Sequence, residues 1–338
     1  MTEELITVII PCFQQGRFLG ECIKSLQVQT YTNWEAIIVN DGSTDNTEII
    51  GSELNRNDSR VHYIYQENRG VSSARNAAIS VARGKFIQFL DPDDKLEFNK
   101  LKFQVDFLYS NSHFDAVYGS TLYFSDNEQD IFRHTFQEGI PDGDCVDEAE
   151  LDQRPLLEKI LERNIFSICS PIFRKSLIDR VGSFDESLSR HEDWDYFLRA
   201  AMDGMKLVYL PGENSNVFVR THSASLSQDR TAMAESMLVV RLKIHSVLQR
   251  TLEKRKNIVN MIGLLSAVNQ ENVSKFKYEI YSACTSRNEK FFFSVLYLVS
   301  IDGPFFFLVR RLVPLFPLPL LRFLGISKSA AQALNSIK

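Results

Sequence analysis

Five short apolar runs within the first 125 residues, alternating with stretches of helical spacing, constrain this chain more than any other feature. They are "LITVIIP" (5–11), "EAIIVND" (35–41), "VHYIYQ" (61–66), "KFIQFLD" (85–91) and "DAVYGSTLYF" (115–124). Helical candidates fall at 17–28, 45–56, 72–82 and 97–110, and in the last of them Leu101, Val105 and Leu108 form an i, i+4, i+7 stripe. Strands alternating with helices of this length predict right-handed βαβ units and a mostly parallel sheet flanked by helices. A sheet of this kind binds ligands outside the carboxyl ends of its strands. Three of those ends are polar: "PCFQQG" (11–16), "NDGSTD" (40–45) and "DPDD" (91–94).

The remainder divides into further regions. Between 126 and 162 there are twelve Asp and Glu against three Lys and Arg, which fits either a solvated loop and helix or an insertion shaping the mouth of a site. From 163 to 226, strand-like "FSICSPIFR" and "KLVYLPG" flank a helix beginning near "RHEDWDYFLRAAMDG", in which Trp194, Leu198 and Ala201 should bury. Beyond 228 the strands stop. There Met233, Met237, Val240, Ile244 and Val247 recur at spacings of four and three, predicting an amphipathic helix that buries this face. The resulting organisation is an α/β domain over 1–228, with halves 1–125 and 126–228, and a helical region over 229–338.

Residues 287–338 form an apolar, basic tail. Seven Lys and Arg stand there against two Asp and Glu, and the uncharged runs 291–301, 303–309 and 312–321 are eleven, seven and ten residues long. A spanning helix needs about 20 apolar residues, and Pro314, Pro317 and Pro319 forbid a regular one. Apolar surface interleaved with base predicts attachment to a membrane surface, with packing on the protein or a re-entrant segment as alternatives. The formal charge of −5 gives no sign of nucleic-acid binding. Five scattered Cys without a CxxC, and acid rather than base at the start of the chain, lead us to expect reduced thiols and a cytoplasmic enzyme at the inner face of a membrane.

The "DPDD" turn poses the chemical question. Asp93 or Asp94 either caps a helix over 97–110, or joins Asp91 in holding a cation. Carboxylates so close together repel unless positive charge lies between them, and hard divalent ions choose oxygen ligands, with Mg²⁺ completing its shell on substrate phosphates. In "HEDWD", Glu192 and Asp193 fall in a helix's first turn, where the dipole favours acid.

Taken together and in order, "PCF", "NDGSTD", "NRGVSSARN", "LDPDD" and "HEDWD" resemble the family 2 glycosyltransferases, over about Ile6 to His222. The opening departs from the commoner pattern by inserting Cys12 and placing Gln14 where Asn is usual. The resemblance implies a GT-A fold, Rossmann-like, with a mixed, mostly parallel sheet. It implies that Pro11, Phe13, Asp41, Asn68, Arg75, Asp91 and Arg220 contact a nucleotide-diphospho-sugar, with Asp41 at the base. It implies that Asp93, Asp91 and His222 hold Mn²⁺ or Mg²⁺, that Asp193 is the general base, and that Glu192 supports it or binds the acceptor. The expected reaction is inverting transfer to a hydroxyl of a glycan or lipid-linked sugar. A sugar-phosphate nucleotidyltransferase and a non-catalytic nucleotide-sugar-binding module of the same fold are the alternatives. The former lacks its glycine-rich basic loop here.

Overall fold

The strand Ile6–Cys12 (β1) is buried at all seven positions, because both of its faces are covered. Its polar residue Thr7 donates to Glu35 at 2.7 Å. Trp34–Asp41 (β2) is likewise buried throughout and pairs parallel with β1, from Ile6 opposite Trp34 to Cys12 opposite Asn40. Val61–Gln66 (β3) continues the sheet beyond β2, and Phe86–Phe89 (β4) lies parallel on the other side of β1. Next come Ile172–Arg174 (β9), antiparallel to both of its neighbours, then Ala116–Tyr118 (β6) and Leu207–Tyr209 (β10). The order of the seven strands is β10-β6-β9-β4-β1-β2-β3. The chain reverses its direction of travel across the sheet at β1 and β4, which puts the topological switch point at their carboxyl ends.

A smaller sheet combines Lys95–Leu96 (β5), Val217–Thr221 (β11), Thr121–Ser125 (β7) and Glu128–Arg133 (β8) in the order β5-β11-β7-β8. The expected strand over 115–124 is therefore two strands in different sheets. The division falls at Gly119, where a Cβ would lie 2.0 Å from the Ser215 carbonyl oxygen, so only glycine lets the two backbones meet.

The helices of the first unit are Gly16–Gln27 (α1), Thr47–Asn57 (α2), Val71–Val81 (α3), Lys100–Ser110 (α4), Leu156–Glu162 (α5), Lys175–Val181 (α6) and Glu192–Met202 (α7). In α4 the stripe of Leu101, Val105 and Leu108 is buried. In α7, Trp194 and Leu198 are buried and Ala201 is half-buried, with Phe197 and Ala200 completing the inner face. Gln88, the polar interruption in β4, donates its amide to the Cys169 carbonyl at 2.8 Å and accepts from buried Lys100 Nζ at 2.6 Å.

The computed structural model describes residues 4–126, 128–133, 156–162, 164–165, 167–222, 229–248, 251–268, 270–286 and 289–290. The chain divides into two compact units, Met1–Gln228 and Asp229–Lys338. In the second, Arg230–Val247 (α8), Thr251–Leu264 (α9) and Gln270–Ala283 (α10) pack around Leu238, Ile258, Met261, Leu265, Phe276 and Ile280. The buried face of α8 is not the expected one. Ala234, Leu238, Arg241 and His245 join Val240 and Ile244 inside, while Val247 is exposed and Met233 and Met237 are half-buried. Arg241 turns inward because Asn257 receives it, at 3.1 Å, and a hydrophobic pattern does not register a polar pair.

No helix among the described residues is long and apolar enough to cross a membrane. The expectations for the tail beyond Lys290, and for most of the acidic stretch (134–155), lie outside the described residues. Cys12, Cys22, Cys169 and Cys284 are free thiols.

Candidate active site

Three loops leave the carboxyl ends of β1, β2 and β4, and their side chains interlock. Gly42 has φ +72° and packs so closely on Asn68 that a Cβ would meet its amide nitrogen at 2.6 Å. That contact brings the loop after β3 against the loop after β2. Asp41 then gathers four donors: Gln66 Nε2 at 2.7 Å, Asn68 Nδ2 at 3.2 Å, and the backbone amides of Arg69 and Gly70 at 2.9 and 2.8 Å. A carboxylate accepts about four hydrogen bonds, so in this structure Asp41 holds the loop that carries Asn68 and leads into α3, where Arg75 lies.

Among the other residues expected at the nucleotide, Pro11 is buried within β1, whereas Phe13 projects outward and is 48% exposed. Gln14 adopts φ +56°, a conformation more readily taken by Asn. It spans to the next loop, its backbone amide donating to Ser43 Oγ at 3.0 Å and its side chain to Thr44 Oγ1 at 2.9 Å.

The "DPDD" turn does not cap α4, which begins at Lys100 with Asn99 before it and no side-chain cap. Each carboxylate has a separate task instead. Asp91 accepts from Arg75 Nη2 at 3.1 Å, and its backbone amide points to Cys169 Sγ at 3.2 Å. Asp93 Oδ2 lies 2.9 Å from His222 Nε2 and accepts from Gln15 Nε2 at 3.1 Å. Asp94, 3% exposed, receives the Arg220 backbone amide at 3.0 Å. Burial, with Asp93 and then Asp91 close by, holds the Asp94 carboxyl well above the usual carboxylate range.

Arg220, expected beside a diphosphate, is 4% exposed and already matched by internal charge. Its guanidinium donates to Glu21 at 2.7 Å, to Asp126 and, at 3.1 Å, to the Asp93 carbonyl. It lies between the rings of Phe18 and Phe124, 4.8 and 4.6 Å from their centroids. It braces the turn from behind.

The second acid motif meets the first through Arg75. This side chain, 2% exposed, reaches Asp91 with one nitrogen and Glu192 Oε1, at 2.6 Å, with another. Glu192 and Asp193 open α7 after His191, whose φ of +57° turns the chain into the helix. Asp193 accepts from Trp194 N at 2.6 Å and from Asn164 Nδ2 at 2.9 Å. Burial, reinforced by the neighbouring Glu192 carboxylate, pushes its pKa up to about 7. That value suits a group that exchanges protons near neutrality.

The residues that the sequence motifs singled out thus converge: Arg75, Asp91 and Glu192 as one cluster, Asp93 with His222 as another. Gln15, Glu21, Asn164 and Cys169 were not foreseen. Gln15 stands inside the "PCFQQG" loop and was within reach of inference, but nothing in the sequence marks a lone Asn at 164. Asp93 and His222, 2.9 Å apart, offer an oxygen and an imidazole nitrogen, donor types that a divalent cation takes, whereas Asp91 is engaged by Arg75 at 3.1 Å.

A mostly parallel sheet with one reversed strand carries acidic loops at its switch point, and Arg75 links them to the acidic first turn of α7. The model of Glycosyl transferase family 2 matches residues 7–181, and the chain belongs to that family. An uncharacterized glycosyltransferase of Rickettsia prowazekii, RP339, is 32% identical over 196 residues, 58% of each chain. TuaG of Bacillus subtilis, provisionally named a teichuronic acid biosynthesis glycosyltransferase, is 36% identical over 123 residues, 36% of this chain and 49% of that one. The chain thus spans about half the length of the curated relatives it matches. Among solved structures, Staphylococcus aureus TarS 1-349 in complex with UDP-GlcNAc superposes with a TM-score of 0.57 at 18% identity, covering 98% of this chain and 92% of that one. The mannosyltransferase PcManGT of Pyrobaculum calidifontis, in complex with GDP-Man and Mn²⁺, gives 0.57 at 15% identity, covering 98% and 86%. The fold is GT-A.

Proposed function

We propose that this protein is an inverting glycosyltransferase that moves a sugar from a nucleoside-diphosphate donor to an acceptor hydroxyl. The observation that carries this reading is the Arg75 bridge between Asp91 and Glu192, at 3.1 and 2.6 Å. It ties the "DPDD" turn to the helix that bears Asp193, so that acid for the donor side and base for the acceptor side belong to one cleft.

The donor's nucleoside lies over the ends of β1 and β2, with the exposed ring of Phe13 beside it. Asp41, its carboxylate already filled by four donors, acts on the base by fixing the loop of residues 66–70. Asp93, Asp91 and His222 would hold Mn²⁺ or Mg²⁺, which would supply positive charge to the leaving diphosphate. Arg220 acts on that turn through Asp93 and Asp94 rather than on the phosphates. Asp193 takes the proton of the acceptor hydroxyl, and the freed oxygen attacks the anomeric carbon opposite the diphosphate. The bond to the diphosphate breaks as the new bond forms, so one displacement inverts the configuration. Glu192, paired with Arg75, positions the cluster and keeps the base's pKa high.

The relative of TuaG type and the basic, aromatic composition of 287–338 support surface-polysaccharide assembly on a lipid-linked acceptor, at the inner face of a membrane. The test is a thermal-shift screen of UDP- and GDP-sugars with Mn²⁺, followed by assay of nucleoside diphosphate release with an acceptor. Asp93→Ala should lose metal-dependent donor binding. Pyrophosphate release from a nucleoside triphosphate, without transfer from any nucleotide sugar, would overturn the reading in favour of a nucleotidyltransferase.

A further inference from the structure

The second unit contains a cluster that the transferase chemistry does not use. His245 lies on α8 and is fully buried, Cys284 directly follows α10 and is fully buried, and Glu289 is 8% exposed. One ligand atom from each lies within 4.8 Å of the other two, and His245 Nε2 is 3.8 Å from Glu289 Oε2. The carboxylate is fixed in place: the Thr285 backbone amide donates to Oε2 at 3.0 Å, and Lys254 Nζ stands 3.7 Å from Oε1.

Packing alone accounts for Cys284, which belongs to the apolar core beside Ile280. It does not account for His245. An imidazole carries at least one N–H, and among the described residues neither ring nitrogen has a hydrogen-bond partner. A buried polar group left so costs about 1–3 kcal/mol, and in a native protein it calls for an ion or a buried water. The donors are one nitrogen, one sulfur and one oxygen. Mg²⁺ and Ca²⁺ favour oxygen and do not take a thiolate, whereas Zn²⁺ accepts all three. Tetrahedral Zn²⁺ bonds of about 2.0–2.3 Å place neighbouring ligand atoms roughly 3.3–3.6 Å apart. The 3.8 Å between His245 and Glu289 is close to that already.

We propose that His245, Cys284 and Glu289 form a Zn²⁺ site that joins α8 to the segment following α10, with the fourth coordination position taken by water. On binding, the Cys284 thiol releases its proton to solvent and the thiolate bonds the metal. Thiolate and carboxylate together balance the dication, and Lys254 Nζ stays 3.7 Å from the outer oxygen of Glu289. The site is independent of the transferase reading, and its test does not involve turnover.

The experiment uses the full-length protein, stripped with a chelator and titrated with Co²⁺, then with Zn²⁺ in competition. The expected result is a thiolate-to-cobalt charge-transfer absorption with tetrahedral d–d bands, displaced by one Zn²⁺ per chain. Cys284→Ser should abolish the thiolate band, and His245→Gln should weaken Zn²⁺ by more than about 100-fold, since even outer-sphere changes cost 10- to 100-fold. Circular dichroism confirms that each variant is folded, and the His245 variant serves if the Cys284 variant is not. A band that persists in folded Cys284→Ser would assign the metal to another thiol, such as Cys169 beside Asp91 and Asp94, and overturn the proposal. Absence of both band and zinc in the folded wild-type protein would overturn it equally.

Discussion

Asp41 and Asp193 are the same side chain in opposite surroundings. Asp41, at the end of β2, accepts four hydrogen bonds, two of them from backbone amides. Asp193, at the start of α7, accepts two, one from its own neighbour Trp194, and it sits beside a second carboxylate, Glu192. Donors stabilise the charged form, whereas burial beside like charge disfavours it. At Asp193 burial and the Glu192 carboxylate prevail over its two donors, whereas at Asp41 the four donors tie a loop together.

The largest expected effect lies at Asp193. Asp193→Asn removes the base and should lower the transfer rate by about 10²–10⁴-fold, with donor binding retained. Since the base must be ionised, kcat/KM of the wild type should rise with pH through about 7, and this limb should vanish in any residual activity of the variant. A full rate in Asp193→Asn would remove the distinction between the two carboxylates.

Stability sharpens the contrast, because the same kind of substitution should act in opposite directions. Asp41→Ala strands two backbone amides and two side-chain amides, and should destabilise the fold by about 2–4 kcal/mol in urea denaturation. The raised pKa of Asp193 favours the folded state only while the group is protonated. Its contribution is complete below the unfolded-state pKa and is lost as pH rises through about 7. Asp193→Asn should therefore raise Tm relative to wild type at pH 8, by roughly 2–4 °C for about 1 kcal/mol, and do so little at pH 5. Equal losses from both variants at pH 8 would break the comparison. The smallest effect belongs to the rim: Arg69→Ala removes the pair with Glu186, 2.8 Å apart and 64% and 39% exposed, and should cost less than about 1 kcal/mol.

Much of this was legible in the sequence. β1 to β4 and the helices between them follow from apolar period and length, because β1, β2 and β4 are buried throughout, the edge strand β3 is partly buried, and each helix covers one face. The convergence of Asp93 with His222, and of Arg75 with Glu192, was implied by the family resemblance rather than by local pattern. What escaped has a common cause: it depends on partners distant in the chain. Gly119 divides a strand because Ser215 crosses there. Asp94 looks like a helix cap until the Arg220 backbone arrives to take it. The inner face of α8 includes Arg241 and His245 because Asn257, Glu289 and Cys284 wait on the other side. Asn164, which steadies Asp193, has no sequence signature at all.

The brace that Arg220 places on the "DPDD" turn has a consequence for synthesis. Asp94 receives an amide 126 positions further along, and the Asp93 carbonyl a guanidinium 127 positions on. As the chain leaves the ribosome, β1 to β4 can assemble early, yet the "DPDD" turn lacks its contacts to Arg220 until β11 has emerged. A chain ended at residue 181 would include everything the family model matches and would still lack both Arg220 and His222. The imidazole beside Asp93 is thus a late arrival in the nascent protein, made only after the second acid motif. An incomplete chain would carry the acidic turn without the imidazole and the guanidinium that lie against it.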